Sequence, residues 1–301
     1  MSRVKLIVTG DLEKFALHKS LQRIFPEVRN GKVVSWETPR KLNCATSHRL
    51  RPLEDINGNI SAPMKKLAWA MYDEVFAVKN KKKYINPADL VIVIDDIELH
   101  NLGQEDIIVD HFRKAIELVL EKRKDNQENY RIELRKKCSF HLLKPMIESY
   151  FFGDIKALQK AGVPVSEKPR LVHPTDVELL ETNDPHIDWI KRCANDNAEK
   201  KLINNDWWRC EQHPKRYLEH LIKRNHPAVP YDETDQGRKA LETLAWNTVP
   251  KVQTDAPFIR SLFEDISEWY GISNPIGIGK TNDIVYPDKS IKRETLLLRN
   301  V

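Results

Sequence analysis

The stretch Asp89-Leu-Val-Ile-Val-Ile-Asp95 decides the fold class. Its five consecutive apolar residues, mostly β-branched, predict a strand buried on both faces, as in the middle of a parallel sheet. Downstream, Ile108, Phe112, Ala115, Ile116, Val119 and Leu120 recur at helical spacing and predict an amphipathic helix. Upstream, Lys5-Leu-Ile-Val-Thr9 is a second apolar run that leaves through Gly10. Leu17, Leu21 and Ile24 then mark a helix, with Asp11 and Glu13 suited to its first turn and Pro26 helping to stop it. Lys32 to Trp36 reads as another strand, Lys65 to Val78 as a helix, and Tyr130 to Arg135, which alternates, as a further strand. Helices follow from Lys144 to Phe152 and from Asp154 to Ala161, the second capped by Asp154. Strands alternating with helices predict an α/β fold, a mostly parallel sheet flanked by helices.

The pattern changes at residues 163–186, which are rich in proline and acidic groups and read as a connection. Beyond it the apolar spacing is helical, around Tyr217 to Ile222, Ala240 to Ala245 and Phe258 to Trp269. The expected organisation is an α/β domain over 1–162 and a mainly helical region over 163–301 packed on it. The four cysteines, Cys44, Cys138, Cys193 and Cys210, form no CxxC pair, and they read as reduced thiols of a cytoplasmic protein. No apolar run reaches the ~20 residues of a membrane helix, so no membrane partner is expected. His213 and His220, seven residues apart, read as a surface pair rather than a metal pair.

Acidic residues gather where strands end. Gly10-Asp-Leu-Glu13 follows the first apolar run and Asp95-Asp-Ile-Glu98 follows the central one. In open α/β sheets, ligands bind outside the carboxyl ends of the strands. Carboxylates delivered there suit a hard cation such as Mg²⁺, which takes oxygen ligands together with substrate phosphates. The competing reading is that such aspartates shape turns and cap helices, and for Asp11 alone capping is the simpler role. Glu148 lies within Pro145-Met-Ile-Glu-Ser-Tyr-Phe-Phe-Gly-Asp154, among apolar and aromatic residues. A glutamate so placed needs a partner, a proton or a metal.

The net charge of +5 is a mild excess, but the cations cluster. Lys81, Lys82 and Lys83 precede the central strand, Lys136 sits in Arg135-Lys-Lys137, and Lys215 and Arg216 open a later helix. Such groups either contact nucleic-acid phosphates or form solvated faces that aid solubility.

Taken in order, these features resemble Toprim-related proteins, and most closely a Toprim-like family of bacterial proteins associated with phage defence and mobile elements. The resemblance rests on the glycine turn with Glu13, the strand ending at Asp95 and Asp96, and Pro145 through Asp154. It continues through His213-Pro-Lys-Arg-Tyr-Leu218, Tyr231-Asp-Glu-Thr-Asp-Gln-Gly237 and the helix from Phe258 to Tyr270, covering about residues 4 to 270. It implies a Toprim-like fold, a Mg²⁺- or Mn²⁺-dependent nuclease (a hydrolase) and a role in antiviral defence. Asp95, Asp96 and Glu148 would hold the metal, and Asp11 or Glu13 would complete the site. The implied partners are nucleic acid, DNA ahead of RNA, and a protein such as a defence-system ATPase. Two departures stand out: Thr9 occupies the position where Toprim enzymes carry glutamate, and Asp95 and Asp96 are adjacent instead of spaced by one residue. The alternative these raise is a catalytically decayed binding subunit.

Overall fold

A computed structural model of the chain describes residues 1–77, 86–123, 126–187, 211–223, 231–277 and 301. Lys81, Lys82, Lys83, Cys193 and Cys210 lie outside these residues.

The protein has the α/β fold expected from its alternation. A six-stranded, mostly parallel sheet is ordered β2-β3-β1-β5-β6, with β4 also pairing β1. Its strands are β1 (Ser2–Val8), β2 (Val28–Arg29), β3 (Lys32–Trp36), β4 (Arg40–Lys41), β5 (Leu90–Asp96) and β6 (Cys138–Leu143). Only β2 runs antiparallel to its neighbour. β1 and β5 are adjacent and parallel, with Val4 opposite Leu90 and Ile7 opposite Val93. That register sets Thr9 beside Asp95 at the same edge.

Side chains of a strand alternate between faces, and here both faces are covered. Val4, Leu6 and Val8 of β1 with Leu90, Ile92 and Ile94 of β5 pack against the first helical segment and the C-terminal helices. The first helical segment is a π-helical turn, Glu13–Leu17, running on as α1, His18–Gln22. Ile7, Val91, Val93 and Ile97 face the opposite way, against α2 (Ala62–Phe76) and α3 (Glu105–Glu121). The apolar layer on the first face includes Leu218, Leu221, Leu241 and Phe263 alongside Leu6 and Ile92, so the C-terminal helices share the core of the sheet. Two indole donors reinforce this: Trp36 Nε1 reaches Tyr270 Oη at 3.1 Å, and Trp246 Nε1 reaches Ser20 Oγ at 2.8 Å.

Three expectations are corrected. Tyr130 to Arg135 is not a strand; it lies within α4, Gln127–Lys137, which buries only Leu134. The strand comes immediately after, as β6, every residue of which is buried. The segment around Glu148 is a run of 3-10 helix, Ile147–Gly153, rather than an α-helix. α5, Ile155–Lys160, begins where expected, with the Asp154 carboxylate accepting from the Lys156 amide at 2.9 Å. His220 is 1% exposed, so the histidine pair is not a surface feature.

Candidate active site

The site lies at the carboxyl edge of β1, β5 and β6. Asp95 and Asp96 end β5, and their adjacency sends them to opposite faces. This parity decides their roles. Asp95 follows Val93 towards the α2/α3 face, where it is 1% exposed and well supplied with donors. Thr9 Oγ1 donates to Asp95 Oδ1 at 2.6 Å, the Ala45 amide to Oδ2 at 3.1 Å, and the Asp96 amide to Oδ1 at 3.1 Å. Burial pushes the Asp95 carboxyl up to about 6, with Thr9, Cys44 and these amides working against the rise. Asp95 thus pins the 44–46 loop to the sheet edge, assisted by Thr46 Oγ1, which donates to the Asp96 carbonyl at 2.5 Å. The neighbouring Cys44 thiol is raised by burial and by Asp95, so it stays protonated and is no nucleophile.

Asp96 follows Ile94 onto the other face and meets a different environment. Its Oδ1 is buried without any hydrogen-bond partner. Its carboxyl lies well above the ordinary range, through burial and then the charges of Glu13, Glu98, Glu148 and Asp95. Glu13, 2% exposed, is likewise raised by burial, with Glu148, Glu233 and Asp95 adding repulsion. Gly10 permits this placement, because a Cβ there would overlap the Glu13 carboxylate. Glu148, 4% exposed on the 3-10 run after β6, is raised to about 7 by burial and Glu233, against the pull of Lys215. Glu98 approaches from the turn after β5, with its backbone at φ +62 and its amide donating to the Pro145 carbonyl at 3.0 Å. A non-glycine residue in that region is strained, a state that clusters at functional sites.

Glu13, Asp96 and Glu148 therefore converge from three distant stretches of chain. Asp95 stands behind them as an anchor. Asp11 does not join them: it is half exposed and ion-paired to Lys41. Lys136 is on α4, paired with Glu133 at 3.4 Å. Arg216 pairs with Glu219 at 2.8 Å. Lys215 instead faces the carboxylates, ion-paired to Glu233 from the helix Pro214–Lys223. The sequence reading missed Glu233 and Tyr231 as site residues. Their signal was the Tyr231–Gly237 element, which carries no periodicity that would direct it to the strand ends.

The donor set is all oxygen, anionic and short of cations, with one carboxylate oxygen left without a partner, and that chemistry suits a hard divalent ion. Among the described residues no group of three or more His, Cys, Asp or Glu side chains stands arranged as a ligand set. Compared with family models, curated proteins and solved structures, the chain matches none. Among the described residues no helix is long and apolar enough to cross a membrane.

Proposed function

We propose that this chain is a cytoplasmic, divalent-metal-dependent nuclease of Toprim-like kind that hydrolyses nucleic-acid phosphodiesters in bacterial anti-phage defence. The observation that carries the reading is the meeting of Glu13, Asp96 and Glu148 at one sheet edge, with Asp96 Oδ1 buried and unpartnered. Buried carboxylates that repel one another need protons or a cation, and such arrangements belong to functional sites more than to structural ones. Asp96 and Glu148 would hold Mg²⁺ or Mn²⁺, with Glu13 completing the set. The ion, when bound, would supply Lewis-acid activation of the phosphodiester. Without an ion, burial holds Glu13, Asp96 and Glu148 above the ordinary carboxylate range, so protons offset their mutual repulsion where a cation would otherwise do so. Lys215 balances the excess negative charge and keeps the pocket compatible with a phosphate.

A second reading is favoured by one observation. Thr9 stands where a Toprim glutamate would, and it spends its hydroxyl on Asp95. On that basis the chain would be a nucleic-acid- or protein-binding subunit, for example of a defence ATPase. The discriminating experiment is a cleavage assay on single- and double-stranded DNA and RNA with Mg²⁺, Mn²⁺ or EDTA. The nuclease reading expects metal-dependent cleavage that is lost in Asp96→Asn and Glu148→Gln. Cleavage that persists in both variants, or in EDTA, would refute it.

A further inference from the structure

Tyr231 is the residue of the acidic pocket that neither the carboxylates nor the fold accounts for. Its side chain is 7% exposed and its hydroxyl leans towards Glu148 with no partner in hydrogen-bond geometry. Glu148, Glu233 and Glu13 are the charges that act on it, so the hydroxyl points into the pocket and not into the core. The chain makes room for it: a Cβ on Gly237 would overlap the Tyr231 oxygen, and Gly237 has an ordinary backbone conformation that does not itself require glycine. Gly10 and Gly237 thus clear space for one polar tip each, the Glu13 carboxylate and the Tyr231 hydroxyl.

A buried hydroxyl without a partner is costly, and native proteins keep few of them. Glu148 is the carboxylate its hydroxyl leans towards, yet the two do not reach hydrogen-bond geometry. A tyrosine hydroxyl is a neutral donor at ordinary pH. A neutral donor in a pocket of acids is suited to an anionic oxygen that arrives with a counter-ion.

We infer that Tyr231 is a substrate-contacting residue: its hydroxyl donates a hydrogen bond to a non-bridging phosphate oxygen of a nucleic-acid strand bound at the Glu13–Asp96–Glu148 edge. This rests on the nuclease reading for its chemistry but not for its contact. It also makes the site composite, because the 231–237 segment of the C-terminal region supplies a residue the α/β part lacks.

The test compares the full chain with its Tyr231→Phe variant, which removes only the oxygen, and with Gly237→Ala, which displaces it. Binding of a fluorescein-labelled DNA oligonucleotide is measured by anisotropy with Ca²⁺ and with EDTA, MnCl₂ binding by titration calorimetry, and cleavage with Mn²⁺. The expected result is a ten- to hundredfold loss of oligonucleotide affinity in both variants, the range for a hydrogen bond to a charged group, with Mn²⁺ affinity and melting temperature unchanged in Tyr231→Phe. Equal oligonucleotide affinity in the parent and Tyr231→Phe would overturn the inference, as would failure of the parent chain to bind the oligonucleotide. A parent chain that binds but does not cut would refute the nuclease reading alone, since the contact is still read in the binding arm.

Discussion

Glu148 should make the folded chain less stable as pH rises, and removing its charge should reverse that. Its carboxyl is raised to about 7 in the fold, chiefly by burial, against an ordinary value of 4.5. Between those values the folded chain holds a proton that the unfolded chain has released, so stability falls as pH rises through the window and the loss is complete above about pH 7. At ~1.4 kcal/mol for each unit of separation, this one group destabilises the fold by at most about 3 kcal/mol near pH 8 and by nothing near pH 4. Glu148→Gln is neutral at every pH and keeps the shape of the side chain. Urea denaturation of the parent and the variant near pH 5 and near pH 8 measures the effect directly. The variant should gain about 2–3 kcal/mol over the parent at the higher pH and much less at the lower. Saturating Mn²⁺ should stabilise the parent and narrow the gap, because a bound ion favours the folded state. A variant equally or more destabilised at both values of pH would show that Glu148 is satisfied by an ion pair, and the pocket would not be short of cations.

Three further outcomes follow from the same geometry. Thr9→Val removes one donor from the buried Asp95 carboxylate and should cost about 2 kcal/mol near pH 8 and less near pH 5, where Asp95 takes up a proton; urea titrations at the two pH values check this. Gly10→Ala forces the Glu13 carboxylate aside and should weaken Mn²⁺ binding at least tenfold, with the secondary structure seen by circular dichroism intact. Glu178→Ala removes the carboxylate that accepts from the Phe258 and Ile259 amides at 2.9 and 2.8 Å, where the helix Pro257–Tyr270 begins; a loss of about 2–4 kcal/mol is expected from the missing cap and the unsatisfied amides, read as a lower urea midpoint.

The central strand was legible because nothing in Leu90–Ile94 competes with burial on both faces, and the acidic residues at its end followed from the chain direction. β6 was hidden for an opposite reason. Cys138, Phe140 and Leu142 face the α2/α3 layer, but Ser139 and His141 alternate with them and are buried as a polar cluster, with His141 Nε2 3.2 Å from Asp265. Buried polar residues matched across a helix give no apolar signal. The preceding Tyr130, Ile132 and Leu134 mimic a strand's period, while only Leu134 is buried. The site was half legible. The expected ligand set took Asp95 and Asp96 together, although period-two alternation in β5 sends them to opposite faces, and Asp95 has its carboxylate occupied by Thr9 and the Ala45 and Asp96 amides. What the sequence could not disclose was the approach of Lys215, Tyr231 and Glu233, because contacts made across the sheet from a separate helical region leave no local pattern.

The central claim is that Glu13, Asp96 and Glu148 together hold a divalent cation. Calorimetric titration of MnCl₂ into the full chain near pH 7.5, beside Asp96→Asn, tests it most directly. Saturable binding by the parent chain, lost or weakened at least tenfold in the variant, is the expected result. A parent chain that takes up no Mn²⁺, or a variant that binds it equally well, would contradict the account.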